Sequence, residues 1–391
     1  MAANESLAGQ EQSAATFPCA GCGGEMQFDT VSQTLKCRYC GNEQQIAAGQ
    51  GEAVHEYVLD FSDETDAALL DWGTEQQVVK CGSCGGEMLL PVGQTALVCA
   101  FCGSAKVLPQ GNPGSIRPES VIPFRISKEQ ANQAFNAWRR KRWFVPNAFK
   151  AQSVNSNLNG VYVPFWTFDT NTASAYRAEV GVYHYRNETR TRTVNGKTET
   201  YTERVRYTVW HWTDGRHDRF FNDVLIPASG QYDSALLQKM NDFKLEQLAA
   251  YKPEYLSGFI AERYSVPLKQ GWDAARSRVD DTLNGEIRRK IGGDELRNLS
   301  IDTRYYDRSY KHILLPIWNA NYRYKEKSYR YMVNGETGSV TGRVPKSAWK
   351  ITLFVLFWVL VVGAIVFAVV QNTPDTTPAS EAYGATIGSG L

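Results

Sequence analysis

All eight cysteines of this 391-residue chain fall into two quartets with the same internal spacing. In each quartet fourteen residues separate two Cys-x-x-Cys pairs, and the second quartet follows the first at an offset of 62 residues. The quartets are Cys19, Cys22, Cys37 and Cys40, and then Cys81, Cys84, Cys99 and Cys102. Each pair places two thiolates on one tight turn, and two such turns complete a tetrahedral Cys₄ site, which suits zinc. The spacing therefore predicts two zinc ribbons with one ion each.

The residues around the quartets support this prediction. Cys-Gly-Gly-Glu-Met begins at the second cysteine of both quartets, and a glycine follows the fourth cysteine (Gly41 and Gly103). Glycine supplies the positive φ angles that such a turn needs. A ribbon of about 30 residues buries too little apolar surface to fold alone, so metal binding would supply most of its folding energy. A closed Cys₄ site has no open position for substrate, which predicts structural rather than catalytic ions.

Two other chemistries fit the cysteines less well, and a third stays open. Disulfides require an oxidising compartment, and residues 1–16 are small and polar, typical of a disordered leader rather than a targeting signal. Thioredoxin-type chemistry uses one Cys-x-x-Cys on a βαβ unit, not two pairs in one module. Iron remains an alternative to zinc, because four thiolates also suit iron.

The composition and the turn signals predict an α+β protein with two ribbons and one membrane helix. Its 10 Trp, 20 Tyr and 17 Phe favour a well-packed core rich in strands. The predicted parts are a leader 1–16, zinc ribbons 17–46 and 80–109, an acidic linker 47–79, a linker 110–118, an α+β domain 119–348, a transmembrane helix 351–370 and a tail 371–391.

The α+β domain is predicted to contain antiparallel sheet with helices between the strands. Ser127 and Gln130 form a capping box that opens a helix reaching about Lys141. Long strands begin near 160 and 299, and the Pro-x-Trp segments within them suggest a duplicated β-unit. Three helices are expected between these strands, at 234–250, 253–263 and 268–291.

A polar hairpin is predicted around Asn195-Gly196, the strongest short turn signal. A two-residue turn would pair Val194 with Lys197 and place Arg192 opposite Glu199. The hairpin's bases make it either a candidate contact surface or a solvated hairpin: Arg186, Arg190, Arg192, Lys197, Arg204 and Arg206. The basic run 139–142 could likewise meet phosphate or lipid headgroups, or simply end a helix favourably.

The charge distribution argues against the ribbons as a surface that binds nucleic acid. The net charge of the chain is +1. From Phe17 to Gln110, however, twelve acids face four bases, a net charge of −8, whereas binding to a polyanion depends on Lys and Arg. The five histidines are scattered, which indicates solvated or packed side chains rather than metal ligands.

Residues 351–370 contain neither a charge nor a proline. Twenty apolar residues in a helix span about 30 Å, the thickness of the hydrocarbon layer. Arg343, Lys346 and Lys350 precede the segment, and only Asp375 and Glu381 are charged after it. The positive-inside rule therefore predicts a single-pass cell-membrane protein with residues 1–350 in the cytoplasm and the short tail outside. Reduced, metal-binding cysteines agree with that orientation.

With these motifs in hand, the chain resembles a bacterial family of membrane-anchored tandem zinc-ribbon proteins. Members are often labelled TFIIB-type zinc ribbon-containing proteins, and some carry a label borrowed from the primosomal replication helicase, whose ATPase motifs this sequence lacks. The resemblance covers nearly the whole chain and rests on the four Cys-x-x-Cys pairs and on 122–124, 314–318 and 333–338. Similar proteins occur beside SPFH-domain and phage-shock-protein-A-like proteins, which implies a role in recruiting peripheral proteins to the membrane under envelope stress.

Together these observations predict a non-enzymatic adaptor that docks cytoplasmic proteins at the membrane. The ribbons would be protein-docking modules and the C-terminal helix the anchor. The alternative is a membrane-tethered protein that binds nucleic acid through the ribbons or the basic hairpin.

Overall fold

The structure is a computed structural model. It describes residues 17–47, 54–61, 76–91, 98–110, 116–151, 158–194, 197–232, 234–240, 242–325 and 327–372. The predicted leader, most of the acidic linker, the Asn195-Gly196 turn itself and nearly all of the tail lie outside these residues. The chain separates into two compact units, Met1–Trp138 with Val154–Arg343, and Arg139–Ser153 with Val344–Leu391.

The strands belong to the first unit. In chain order they are β1 (Met26–Asp29), β2 (Thr34–Cys37), β3 (Glu43–Gln44), β4 (Tyr57–Val58), β5 (Gln76–Cys81), β6 (Glu87–Pro91), β7 (Val107–Gln110), β8 (Ser120–Val121), β9 (Asn159–Val194), β10 (Lys197–Pro227), β11 (Ala249–Ala250), β12 (Ile260–Glu262), β13 (Glu295–Tyr324), β14 (Lys327–Asn334) and β15 (Val340–Gly342). Strands β1 to β3 form a small sheet of their own, and β4 to β15 form one sheet of 12 strands.

The α-helices of the described residues are α1 (Lys128–Arg140), α2 (Asn147–Ala151), α3 (Ser234–Gln238), α4 (Leu268–Ile291) and α5 (Ala348–Asn372). Short 3₁₀ turns occupy Leu245–Gln247 and Pro253–Leu256. Strands and helices are therefore mixed along the first unit, and the coarse α+β class is confirmed.

The centre of the large sheet is the antiparallel pair β9 and β13, which is paired from Gly181↔Glu295 to Asn159↔Asn319. The two Pro-x-Trp segments lie side by side in this pair but are offset, since Pro164 pairs with Leu314 and Pro316 with Tyr162. Residues 161–170 and 311–320 are all buried, so neither segment shows the polar alternation of a half-exposed strand.

One face of α4 packs against the sheet. Its buried side chains recur every three or four residues: Leu268, Trp272, Ala275, Val279, Leu283 and Ile287. Gly271 lies between the helix and the sheet, where a Cβ atom would stand 2.7 Å from Cδ1 of Trp166. The helix ends at Gly292, whose φ of 69° stops helical continuation. The predicted helix at 268–291 is confirmed.

The capping box and the hairpin register are also confirmed. The backbone N–H of Ser127 donates to Oε1 of Gln130 at 2.8 Å, and the N–H of Gln130 donates back to Oγ of Ser127 at 3.3 Å. In the hairpin Val194 pairs with Lys197 and Arg192 with Glu199.

The other two predicted helices are wrong for most of their length. Among the described residues of 234–250 only Ser234–Gln238 is α-helical, and Ala249–Ala250 pairs with β8. Tertiary hydrogen bonds replace helical ones there; for example, the N–H of Lys244 donates to Oε2 of Glu336 at 3.1 Å. Within 253–263 the chain forms a 3₁₀ turn and then β12, which is sandwiched between β6 and β9. Tertiary pairing here overrides local helix propensity.

Part of the predicted acidic linker is built into the large sheet. Within the described residues 54–61, β4 pairs with β13. Lys311, only 5% exposed, holds this segment through an ion pair of 2.9 Å with Glu56. A second carboxylate, that of Asp223, lies 2.7 Å from the same ammonium group.

The second unit contains α2 and α5. Lys350, in the first turn of α5, donates hydrogen bonds to the carbonyl oxygen of Val145 at 2.9 Å and to Oδ1 of Asn147 at 2.7 Å. The most apolar 18-residue stretch within Ala348–Val369 has a mean hydropathy of 2.9, and none of it is buried. By length and composition, this helix is able to cross a membrane.

Candidate metal centres

The eight cysteines come together in the two quartets that their spacing predicts. Within each quartet all four Sγ atoms lie within 4.8 Å of one another. Cys19 and Cys40 place their sulfurs 3.4 Å apart, and Cys84 and Cys99 place theirs 3.7 Å apart. Four sulfurs at about 2.3 Å from a central zinc would be separated by roughly 3.8 Å, so the donor set and its size fit a tetrahedral metal ion. All eight thiols are free of disulfides.

Four equivalent turns hold the sulfurs. In each, the backbone N–H of a glycine donates to the carbonyl oxygen of the first cysteine of the pair, as in Gly23 to Cys19 at 2.8 Å and Gly85 to Cys81 at 2.8 Å. The four glycines share a φ of 73° to 75°: Gly23, Gly41, Gly85 and Gly103. A side chain at any of them would strain the turn that aims the thiols.

Backbone N–H groups favour the thiolate, and so lower the pKa, at Cys19 and Cys37 of the first quartet and at Cys81 of the second. The N–H of Gly21 lowers the pKa of Cys19 to about 6. Burial raises the pKa of Cys81, but the N–H groups of Cys84 and Ser83 outweigh it and lower that pKa to about 7. Burial raises the pKa of Cys99. A bound cation would displace the protons that remain, because metals bind the thiolate.

The first quartet lies in a ribbon whose outer end is exposed. At the other end, strands β1 and β2 pack on the rest of the first unit. The ring of Phe28 meets that of Tyr255 at 5.5 Å, and the backbone N–H of Phe28 donates to the carbonyl oxygen of Ser257 at 3.1 Å. Cys22 and Cys40 are exposed. Tyr39, between the last two ligands, is 81% exposed.

The second quartet is part of the main core. Phe101, which occupies the position of Tyr39 in the repeat, is 0% exposed and meets the ring of Tyr232 edge-on at 5.8 Å. Strand β6 of this ribbon pairs with β12, so the ribbon belongs to the 12-stranded sheet. Cys81 and Cys99 are both buried in one extended hydrophobic cluster, together with Phe101.

Three side chains from β13 and β14 bind the turn of the second quartet. Asn319 donates to the carbonyl oxygen of Ala100 at 2.6 Å, and Asn321 donates to that of Phe101 at 2.8 Å. Arg330 reaches the same carbonyl of Phe101 at 2.8 Å. Sequence reasoning missed these residues, since nothing in their spacing links them to a cysteine about 220 positions away.

The basic hairpin is extended, and many of its charges are paired within it. Arg186 lies 2.6 Å from Glu188, and Arg190 lies 3.1 Å from Glu203. Arg204 and Arg206 cover the rings of Tyr185 and Tyr183 at 4.4 Å and 4.1 Å. This pairing reduces the positive charge that the hairpin offers to a polyanion.

The fold and the site define a two-ribbon α+β protein with two Cys₄ groups able to hold metal ions and one helix long and apolar enough to span a membrane. The chain is similar to the uncharacterized protein YdjG of Bacillus subtilis (strain 168), with 28% identity over 346 residues, 86% of this chain and 92% of that protein. No protein-family model matches the chain, and no solved structure matches it.

Proposed function

We propose that this chain is a zinc-ribbon adaptor that docks a cytoplasmic partner protein at the membrane. Two structural zinc ions would fill the quartets, the first ribbon would bind the partner, and α5 would be a single-pass anchor. One observation carries the proposal: the same turn is buried by the chain itself in the second ribbon and exposed in the first, where Tyr39 is 81% exposed against 0% for Phe101.

The exposed turn of the first ribbon has the features of a binding surface. Arg38 and Tyr39 are both exposed and stand between Cys37 and Cys40, so a bound ion would fix their backbone. Tyrosine and arginine are enriched among residues that dominate binding energy at interfaces. A rigid turn also loses little conformational freedom when a partner binds.

The contacts of the equivalent turn in the second ribbon support the same proposal. There, amide and guanidinium donors meet its carbonyl oxygens, and an aromatic ring meets its Phe101. We expect the partner to supply comparable donors to the carbonyls of Arg38 and Tyr39, together with an aromatic or apolar pocket for the Tyr39 ring.

The anchor and its orientation complete the proposal. Bases precede α5, and only acids are charged after it, which favours a cytoplasmic first unit. We propose no catalytic role, because four thiolates leave a metal ion no open position for substrate. By resemblance, the partner would be an SPFH-domain or phage-shock-protein-A-like protein, and the setting would be envelope stress.

The test is co-purification from detergent-solubilised membranes with the intact chain, a Tyr39→Ala variant and a Val31→Ala control. Val31 is 75% exposed at the other end of the first ribbon, in the β1–β2 turn. We expect a partner that is retained by the intact chain and the control but lost with Tyr39→Ala, while all three keep two zinc ions per chain.

Two results would contradict the proposal. If every protein were recovered equally with the intact chain and with Tyr39→Ala, the turn that carries Tyr39 would not be the docking surface. Nucleic acid that is retained by the intact chain and released by salt, without a partner that depends on Tyr39, would favour the membrane-tethered nucleic-acid-binding alternative.

A further inference from the structure

The second unit forms an open apolar cavity of about 930 Å³. One wall is the segment before α2, with Trp143 and Phe144, and the opposite wall is α5, with Phe354, Phe357 and Trp358. These three α5 side chains are half exposed, so this wall is continuous with the exposed apolar surface of α5. The cavity has the size of a site for a ligand as large as a lipid fragment or drug.

Both walls are held in place by contacts within the unit. The N–H of Ser347 donates to the carbonyl oxygen of Phe144 at 2.7 Å, and the rings of Phe144 and Phe354 meet edge-on at 5.4 Å. The ammonium group of Lys350 bridges from α5 to the carbonyl of Val145 at 2.9 Å. The cavity is therefore built by specific contacts between the walls.

Lys150 and Lys350 line the cavity, and the two chain segments to which they belong are strongly basic. Residues 139–151 and 344–350 contain seven bases and no acid: Arg139, Arg140, Lys141, Arg142, Lys150, Lys346 and Lys350. Lys150 and Lys350 donate to groups of the chain itself. Arg140, Lys141 and Lys346 are exposed.

Two exposed tryptophans accompany this charge. Trp143 is 73% exposed and Trp349 is 70% exposed, and both line the cavity. Tryptophan concentrates where a membrane meets water, at the level of the lipid headgroups. Bases near a membrane surface are attracted to anionic lipids. The apolar walls, the tryptophans and the bases thus match one molecule that has an apolar chain and an anionic head.

We propose that this cavity binds an anionic phospholipid. An acyl chain would lie against Phe354, Phe357 and Trp358, and the phosphate would meet Arg140, Lys141 and Lys346. The inference rests on the proposed function in one respect, that α5 lies in a membrane. A soluble ligand would account for the bases but not for a wall shared with the lipid-facing surface of α5.

The test uses the full-length protein reconstituted into nanodiscs that contain equal amounts of phosphatidylglycerol and phosphatidylcholine. Native mass spectrometry then counts the lipids that stay bound after release from the disc. We expect the intact chain to retain phosphatidylglycerol in preference to phosphatidylcholine. In an Arg140→Gln/Lys141→Gln/Lys346→Gln variant the ratio of retained phosphatidylglycerol to phosphatidylcholine should fall by about tenfold or more.

Two further variants separate charge from cavity. Lys269→Gln/Arg276→Gln/Arg289→Gln removes three exposed bases from α4 and should keep the preference. Leu353→Trp would fill the cavity, whose wall includes Leu353, and should reduce the number of retained lipids while leaving all the bases in place.

Three outcomes would overturn the inference. One is equal retention of both lipids by the intact chain, and another is an unchanged preference after Arg140, Lys141 and Lys346 are replaced. The third is a lipid-free dimer, which would assign the cavity to the helix of a second copy. If the protein inserts stably into the discs but gives any of these results, only the lipid site is refuted. If the protein never enters the discs, the proposal that α5 is a membrane anchor is refuted.

Discussion

The two ribbons share one cysteine motif and one sulfur geometry, yet they relate to the rest of the chain in opposite ways. The second ribbon contributes strands to the large sheet, and its ligands Cys81 and Cys99 are part of the main core. The first ribbon forms a separate small sheet whose outer turn faces solvent. A motif that fixes four thiols in space therefore leaves open what the surrounding surface does.

The contrast indicates that the two ribbons have different roles. A metal ion in the second ribbon would stabilise the sheet, since that ribbon cannot unfold without exposing the core around Phe101. A metal ion in the first ribbon would stabilise mainly the exposed turn that carries Tyr39. Matched changes in the two copies should therefore have unequal effects.

Removal of one ligand from each quartet should give the largest difference. Cys81→Ser should lose one metal ion and lower the free energy of unfolding of the first unit by ~5 kcal/mol or more, because metal binding and folding are coupled there. Cys19→Ser should also lose one ion but should unfold only the first ribbon, and should change the main transition by about 1 kcal/mol or less. Metal analysis and denaturant unfolding of the full chain in detergent measure both quantities.

Equal losses of stability in the two variants would contradict this difference. So would a zinc content of two per chain in Cys19→Ser, since the remaining three thiols would then suffice for a stable site.

Truncation of the aromatic residue in the equivalent turns comes next. Phe101→Ala should lower the free energy of unfolding by about 3–5 kcal/mol, as expected for a fully buried phenylalanine. Tyr39→Ala should cost about 0.5 kcal/mol or less, because its ring is mostly in water. Chemical denaturation of both variants checks the values, and a Tyr39→Ala cost close to that of Phe101→Ala would show that the first turn is packed in solution.

A third pair of changes tests whether each aromatic ring is free to move. A Cβ atom at Gly86 would stand 2.4 Å from the ring of Phe101, and one at Gly24 would stand 2.5 Å from the ring of Tyr39. The buried ring has no space to yield, so Gly86→Ala should cost about 2–3 kcal/mol. The exposed ring can rotate away, so Gly24→Ala should cost about 1 kcal/mol or less. Similar thermal shifts in the two variants would refute this distinction.

The sequence was sufficient for features that depend on local spacing. The thiol quartets follow from Cys-x-x-Cys turns with glycines at positive φ, the hairpin register from its two-residue turn, and the end of α4 from Gly292. Each of these is determined by residues a few positions apart.

The sequence was insufficient where distant segments decide the structure. The apolar spacing at 234–250 looks helical, yet the N–H of Lys244 and the strand at Ala249–Ala250 bind partners elsewhere in the sheet. Likewise, the difference between Tyr39 and Phe101 is conservative in sequence. Asn319 and Arg330 bury the second turn from more than 200 residues away, and no local pattern encodes that contact.

The remaining comparison concerns a buried carboxyl group that lies beside the second ribbon. Glu262 pairs with Met88 in β6, is 1% exposed, and accepts a hydrogen bond of 2.5 Å from Oγ of Ser229. Burial raises the pKa of Glu262 to about 8. The equivalent Met26 of the first ribbon instead accepts, through its carbonyl oxygen, a hydrogen bond from the neutral hydroxyl of Ser257.

The sign of the pH dependence follows from this raised pKa. Between its ordinary pKa in the unfolded chain, about 4.3, and about 8 in the folded protein, Glu262 holds a proton only when folded. Its contribution to stability is therefore complete below the lower value and is lost as the pH rises through the higher one, by at most ~1.4 kcal/mol per pH unit. With zinc in excess, Glu262→Gln should flatten the fall in stability between pH 6 and pH 8, whereas Glu43→Gln, an exposed change in the first ribbon, should leave it unchanged. An identical slope in the intact chain and Glu262→Gln would mean that the carboxyl group is ionised beside the second ribbon, and hence that this ribbon is less tightly closed against water than its contacts with β12 indicate.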